Sequence, residues 1–172
     1  NASFTHYGMG SIEIANKLIS EKDHPMADVI MGLPEFYARP VIEAGVLEKH
    51  RPPNLREIPA SKIWDSSGYI VPIDEGYVVI VYNETMISER HVPAPSTLDD
   101  LLDPRFRGLV TYPNPVTSGT GLSFLTWVLK EKGEAGGWEY LDRLKGNIVF
   151  YPSGWTEAMD AFIKGEAAVG VM

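Results

Sequence analysis

Short apolar runs with strand character alternate with segments of helical periodicity along almost the whole chain, and this alternation restricts the fold more than any other feature. Ile12, Ala15, Leu18 and Ile19 recur at helical spacing behind Ser11, a residue suited to capping a helix start. Ala27-Asp28-Val29-Ile30-Met31-Gly32 follows as a run suited to a buried strand. A second helix, begun or broken at Pro40, is expected through Val41, Ile42 and Ala44 to the terminator Gly45, and Arg51-Pro52-Pro53-Asn54 forces a loop. From Tyr69 to Tyr82 the chain is β-rich, and Tyr77-Val78-Val79-Ile80-Val81-Tyr82 is apolar on both faces, which predicts a central strand covered on both sides. Thr97 with Asp100 makes a capping-box-like start for Leu98 to Leu102. A strand at Leu109–Tyr112, helices at about 118–130 and 134–144, a strand at Ile148–Tyr151 and a helix from about Thr156 to Lys164, closed by Gly165, complete the pattern. Such alternation with short connections predicts an α/β fold with largely parallel sheets, whose ligands sit beyond the carboxyl ends of the strands.

The 172 residues suffice for one ordinary domain or two small lobes, and 44% hydrophobic with 22% charged residues is a globular composition able to bury a core. Lys plus Arg number 15 against 23 Asp plus Glu, a net charge of −8 without any basic run, which argues against nucleic acid or an anionic membrane surface as partner. No segment approaches the roughly 20 apolar residues that cross a bilayer. Cysteine is absent, so disulfides and thiolate metal sites are excluded. His6, His24, His50 and His91 lie in different segments without metal-binding spacing, so no catalytic zinc is expected. The proline-rich His91-Val92-Pro93-Ala94-Pro95-Ser96 is the best candidate for a change of lobe. Asn1 is not an initiator, and the strand-like run Ala167–Met172 stops without turn or cap. Both ends are therefore expected to be cuts in a longer chain, with the last strand short of neighbours and prone to pair with another copy.

Three segments carry candidate chemistry. Tyr112-Pro113-Asn114-Pro115-Val116-Thr117-Ser118-Gly119-Thr120-Gly121-Leu122 is a strand, a polar turn and a helix start. Free amides there, with the hydroxyls of Thr117, Ser118 and Thr120, form either a cradle for an anion or polar group or simply a well-capped helix. It is not a P-loop, because no Lys follows the second glycine. Ser118 lacks a nucleophile-elbow context, and no His follows Asn114 to serve it as base, so an acyl or phosphoryl transferase using Ser118 is the lesser alternative. Tyr151-Pro152-Ser153-Gly154-Trp155-Thr156-Glu157 is a second strand-to-helix turn, where Trp155 either stacks on a flat or cationic ligand or packs into its own core. Pro72-Ile73-Asp74-Glu75-Gly76-Tyr77 offers Asp74 and Glu75 either to a cationic group or to solvent in an ordinary turn, with Tyr77 placed to pack at a strand entry.

In that order, Asp-x-Gly-Tyr at a strand, Asn-Pro-x-x-Ser-Gly-Thr-Gly and Ser-Gly-Trp-x-Glu-Ala resemble the ABC-transporter solute-binding proteins of the thiamine and ferric-iron type. Ala27–Gly32 resembles the family's first-lobe Ala-Asp-Val strand, and Gly165-Glu166-Ala167-Ala168-Val169-Gly170 its return strand. The resemblance implies an extracytoplasmic, two-lobed α/β clamp of the periplasmic-binding-protein type, of which this chain is a part. Residues 1–80 would supply part of the first lobe with its crossing strand, and 81–172 most of the second lobe, ending in the return strand. It implies a ligand-capturing protein and not an enzyme, with no cofactor, a small molecule as ligand and a membrane permease as partner. Similarity to thiamine binders is strongest, and it implies thiamine or a thiamine phosphate held by Trp155, Gly154, Thr117, Ser118, Gly119, Thr120, Asp74 and Tyr77. Thiamine binders carry an acidic residue one position earlier than Glu35, so the resemblance assigns that role to Glu35 by a one-residue shift. Ferric iron is the alternative ligand, because iron binders share the Asn-Pro-x-x-Ser-Gly-Thr-Gly turn.

Overall fold

The computed structural model describes residues 3–172, and the chain divides into two compact units between Tyr77 and Val78. In the first unit, α1 (Ser11–Ser20) packs against α2 (Glu35–Glu43) through Ala15, Ala38 and Val41, all buried. Ser11 is the first helical residue and not the cap: Gly10 holds that position, and no side chain bonds to the helix start. Pro40 lies inside α2. The expected strand at 27–32 does not form; Val29 and Met31 are 79% and 70% exposed. A strand needs a partner for its backbone groups, and among the described residues of this unit no other strand exists. Order further along comes from side chains instead. The Asp65 carboxylate accepts from the amides of Ser67, Tyr69 and Ile70 at 2.8–2.9 Å. Glu75 pairs with Lys62 at 2.5 Å.

The second unit holds a four-stranded sheet of β1 (Ile80–Tyr82), β2 (Val110–Thr111), β3 (Ile148–Phe150) and β4 (Val169–Val171), in the order β1-β4-β2-β3. β2 runs parallel to β3 and β4, whereas β1 runs antiparallel to β4. The expected central strand at 77–82 is thus a short edge strand, with Tyr77 75% and Tyr82 42% exposed. The central places go to β2 and β4, whose small or β-branched residues are fully enclosed. This also corrects the expectation for the last strand, which finds neighbours on both sides within the chain. The proline-rich segment marks no change of unit. It follows α3 (Glu84–Glu89), Val92 and Pro95 are buried, and the Val92 amide bonds back to the Ile87 carbonyl at 3.0 Å.

The Thr97–Asp100 box forms as the spacing predicts: the Asp100 carboxylate accepts from the Ser96 and Thr97 amides at 2.8 Å, and Thr97 Oγ1 accepts from the Asp100 amide at 3.2 Å. It opens a 3-10 turn over Asp99–Leu102. The sheet is covered by α4 (Gly119–Leu144), in which two helical segments meet at Gly133, and by α5 (Trp155–Ile163). Leu101, Phe106, Phe124, Val128, Leu144, Val110, Val169 and Val171 are fully buried around it. Each such side chain contributes about 1.5–3 kcal/mol relative to exposure. Polar groups caught inside are paired: Tyr140 donates to the Leu98 carbonyl at 2.7 Å, and the Asn147 amide to the carbonyls of Leu101 and Asp103.

Candidate functional site

Adjacent parallel strands β2 and β3 end on the same side of the sheet, and each runs directly into a turn and a helix start. After β2, Asn114 organises the turn: its side chain accepts from the Val116 amide at 2.9 Å, and its carbonyl from the amides of Thr117 and Ser118. The Ser118 side chain, 5% exposed, caps α4 by accepting from the Gly121 amide at a long 3.4 Å. The chain can turn this tightly because residue 121 has no side chain; a Cβ there would lie 2.1 Å from the Pro113 carbonyl oxygen. After β3, Gly154 precedes α5 without a side-chain cap, and the turn is held instead by Glu157, whose Oε2 accepts from both the amide and the hydroxyl of Ser153 at 2.7 Å. Those two bonds keep the Glu157 carboxyl below its ordinary range.

The two turns are bonded to each other. Asn114 donates its amide to the Pro152 carbonyl at 2.8 Å, and Thr117 its hydroxyl to the Ser153 carbonyl at 2.6 Å. As a result the starts of α4 and α5 sit side by side. Among the described residues, the Gly119, Thr120, Trp155 and Thr156 amides donate to no acceptor, as first-turn amides of a helix do. Such amides favour an anion or a polar oxygen. Trp155 occupies the first position of α5 and is 48% exposed, so its ring is not a core residue. Tyr151, at the end of β3, is 45% exposed and meets Tyr112 edge-on at 5.2 Å, while Tyr112 packs on Phe124 at 4.6 Å. Burial, with Tyr151 close by, pushes the Tyr112 phenol far above its ordinary value, so it stays protonated.

Of the residues singled out in the sequence, Thr117, Ser118, Gly119, Thr120, Gly154 and Trp155 come together in this unit. Ser118 and Gly119 are buried, and Thr117 and Trp155 are exposed. Glu35, Asp74 and Tyr77 belong to the first unit, where all three are exposed. Glu35 opens α2, favourable for a carboxylate at a helix start, and Tyr77 at 75% exposure does not pack as a strand-entry residue. Within the segment Tyr151–Glu157 already singled out, the structure gives roles to Tyr151, Ser153 and Glu157 that the sequence alone does not assign. The Ser153–Glu157 pairing is one residue longer than the capping-box spacing, so the pattern for helix starts does not find it. Among the described residues no group of His, Asp and Glu could hold a metal ion.

Residues 24–172 match the family model described as bacterial extracellular solute-binding protein. Among curated relatives, the thiamine-binding periplasmic protein of Salmonella typhimurium is 28% identical over 159 residues, covering 91% of this chain and 46% of that protein. Among solved structures, the periplasmic binding protein AfuA of Actinobacillus pleuropneumoniae, with fructose-6-phosphate bound, aligns with a TM-score of 0.85 at 25% identity, covering 97% of this chain and 54% of that one. A ferric binding protein from Campylobacter jejuni aligns at 0.71 and 21% identity over 99% of this chain and 54% of that one, a likeness of fold. The chain thus spans about half the length of the curated relatives it matches. It has the α/β fold of periplasmic binding proteins, and its kinship places it outside the cytoplasm. With the model matching most of its length, the chain belongs to the bacterial extracellular solute-binding protein family.

Proposed function

We propose that the whole protein captures a small molecule outside the cytoplasm and hands it to the membrane permease of an ABC importer, without performing chemistry on it. We further propose that the molecule is thiamine or a thiamine phosphate, bound where α4 and α5 begin. The observation that supports this reading is the Thr117 hydroxyl bonded at 2.6 Å to the Ser153 carbonyl, which ties the start of α4 to the turn that leads into the exposed Trp155. The division of labour is chemical. An aromatic quadrupole attracts a positively charged ring by about 0.5–2 kcal/mol, depending on desolvation. Helix-start amides and the hydroxyl of Thr120 favour an oxygen-rich, negatively charged tail. Kinship to a thiamine-binding protein supports the ring, and likeness to a structure holding a sugar phosphate supports the tail.

Calorimetric titration of the full-length protein with thiamine, thiamine diphosphate, fructose 6-phosphate and ferric ion tests the reading. Trp155→Ala is expected to weaken thiamine at least about tenfold, roughly 1.4 kcal/mol. Ser118→Ala is expected to penalise the diphosphate more than the free alcohol. Unchanged thiamine affinity in the Trp155 variant removes the stacking role. Tight ferric binding without thiamine binding makes iron the cargo, and product formation from any of these molecules would make the protein an enzyme.

A further inference from the structure

We propose that Glu157 is a positioning residue for the ligand site: from α5 it fixes the Ser153 carbonyl, and through Thr117 it fixes the start of α4, so that the two helix starts act as one piece. The ligand role of those helix starts rests on the functional reading above; the mechanical link does not.

The chain of bonds is continuous. Glu157 Oε2 takes both donors of Ser153, the amide and the hydroxyl, at 2.7 Å each. These bonds fix the N, Cα and Cβ of Ser153, and on the far side of the peptide that carries its carbonyl Gly154 is held by the Ala158 amide at 3.2 Å, so the Ser153 carbonyl is restrained from both sides. That carbonyl accepts the Thr117 hydroxyl at 2.6 Å. Thr117 immediately precedes Ser118, the cap of α4, and its own amide is held by the Asn114 carbonyl at 3.2 Å. A carboxylate on one helix therefore sets the first turn of another that begins 36 residues earlier in the chain than Trp155. Glu157, Ser153 and Thr117 are all solvent-exposed, while the turns beneath them are anchored by the buried Pro113 and Pro152 and by the Asn114–Pro152 bond, so the Glu157–Ser153–Thr117 bonds are what orders the outer part of the two turns. Hydrogen bonds sharing a residue in this way are expected to be non-additive.

The link is read first without ligand, in the full-length protein, by amide hydrogen exchange. Glu157→Ala, which keeps good helix propensity, is expected to speed exchange of the bonded amides of Ser118 and Gly121 about fivefold or more, as well as that of Ser153. Thr117→Val should do the same at Ser118 and Gly121, Thr117→Ser should restore protection because it keeps the hydroxyl, and the double variant should be no worse than either single one. Exchange at Ser118 and Gly121 that ignores Glu157→Ala, or effects that simply add, would overturn the proposal. If Glu157→Ala fails to fold, the Thr117→Val and Thr117→Ser pair decides by the same criterion. In a second arm, thiamine diphosphate, fructose 6-phosphate and inorganic phosphate are titrated into wild type, Glu157→Ala, Thr117→Val and the double variant. A loss of about tenfold in each single variant, not compounded in the double, is the expected result. If wild type binds none of the three probes, the functional reading falls while the exchange arm still decides the link. If the probes bind and the variants bind equally well, the positioning role is refuted although the reading survives.

Discussion

Ser153 and Glu157 show how much one carboxylate can organise when it lies in solvent but accepts two donors. Because the Ser153 hydroxyl and amide both favour the ionised form, Glu157 is held below its ordinary value of 4.5. For a depressed carboxyl, the contribution to stability is complete above the unfolded-state value and is lost as pH falls through the folded one. The Ser153 amide resonance should accordingly titrate with a midpoint below 4.5, and a midpoint at or above that value would contradict the bonding seen here. Gly121 makes a different kind of demand. Alanine is favoured over glycine in a helix by roughly 0.5–1 kcal/mol, but a Cβ at 121 would meet backbone at 2.1 and 2.7 Å, which cannot swing aside. The clash dominates: Gly121→Ala is expected to lower unfolding free energy by about 1–3 kcal/mol in denaturant titration. Of these residues, Ser118, Gly119 and Thr120 are legible in the sequence because helix starts have local chemistry. Ser153–Glu157 is not, since its spacing falls outside the usual box, and the Thr117–Ser153 bond spans two distant segments.

Among the elements, the starts of α1 and α2 depart from their sequence signals, but several ends governed by local chemistry match them. α5 closes on a paired motif, with the Glu166 amide bonded to the Ala161 carbonyl at 2.9 Å and the Gly165 amide to that of Phe162 at 3.1 Å, and Gly165 at φ 75°. A Cβ at 165 would find only ordinary contact, the nearest atom being Met86 Sδ at 3.7 Å. Its cost is therefore purely conformational: Gly165→Ala should destabilise by about 1–2 kcal/mol, less than a clash could cost at Gly121, and thermal melts of the two variants would rank them. The helices at 118–130 and 134–144, separated at Gly133, and the Thr97–Asp100 box follow the same logic. Strands follow only in part: β2, β3 and β4 form within the expected runs at 109–112, 148–151 and 167–172, but two others depart, because a strand's existence depends on a partner elsewhere in the chain. Ala27–Gly32 reads as a strand and remains without one, while Tyr77–Tyr82 reads as central and lies at an edge.

At the scale of the molecule, buried apolar residues are distributed very unequally between the two units. The second encloses Leu101, Phe106, Phe124, Val128, Leu144 and the β2 and β4 valines, whereas the first encloses Ala15, Ala38 and Val41. Local opening costs least where apolar burial is smallest. Amides of Val110, Val169 and Val171 should therefore exchange slowest of all, and those of α1 and α2 should exchange faster by orders of magnitude; comparable protection in both units would refute this. The same measurement bears on the last strand: protected amides at 169–171 follow from β4 lying between β1 and β2, and fast exchange there would mean that the strand is not held.

By itself the sequence determined the α/β class, the start of α4, the stop of α5 and the two turns with Ser118 and Trp155, because periodicity, caps and turn residues act over a few positions, whereas it misplaces the starts of α1 and α2 and does not reveal α3. Its order of motifs also determined the family. Only the tertiary structure decided which strands find partners, that Trp155 is exposed and not core, and that the turns after β2 and β3 are tied together through Thr117, Ser153 and Glu157. The reason is physical: backbone pairing, burial and bonds between turns are settled by contacts between segments far apart in the chain, and such contacts leave no local pattern to read.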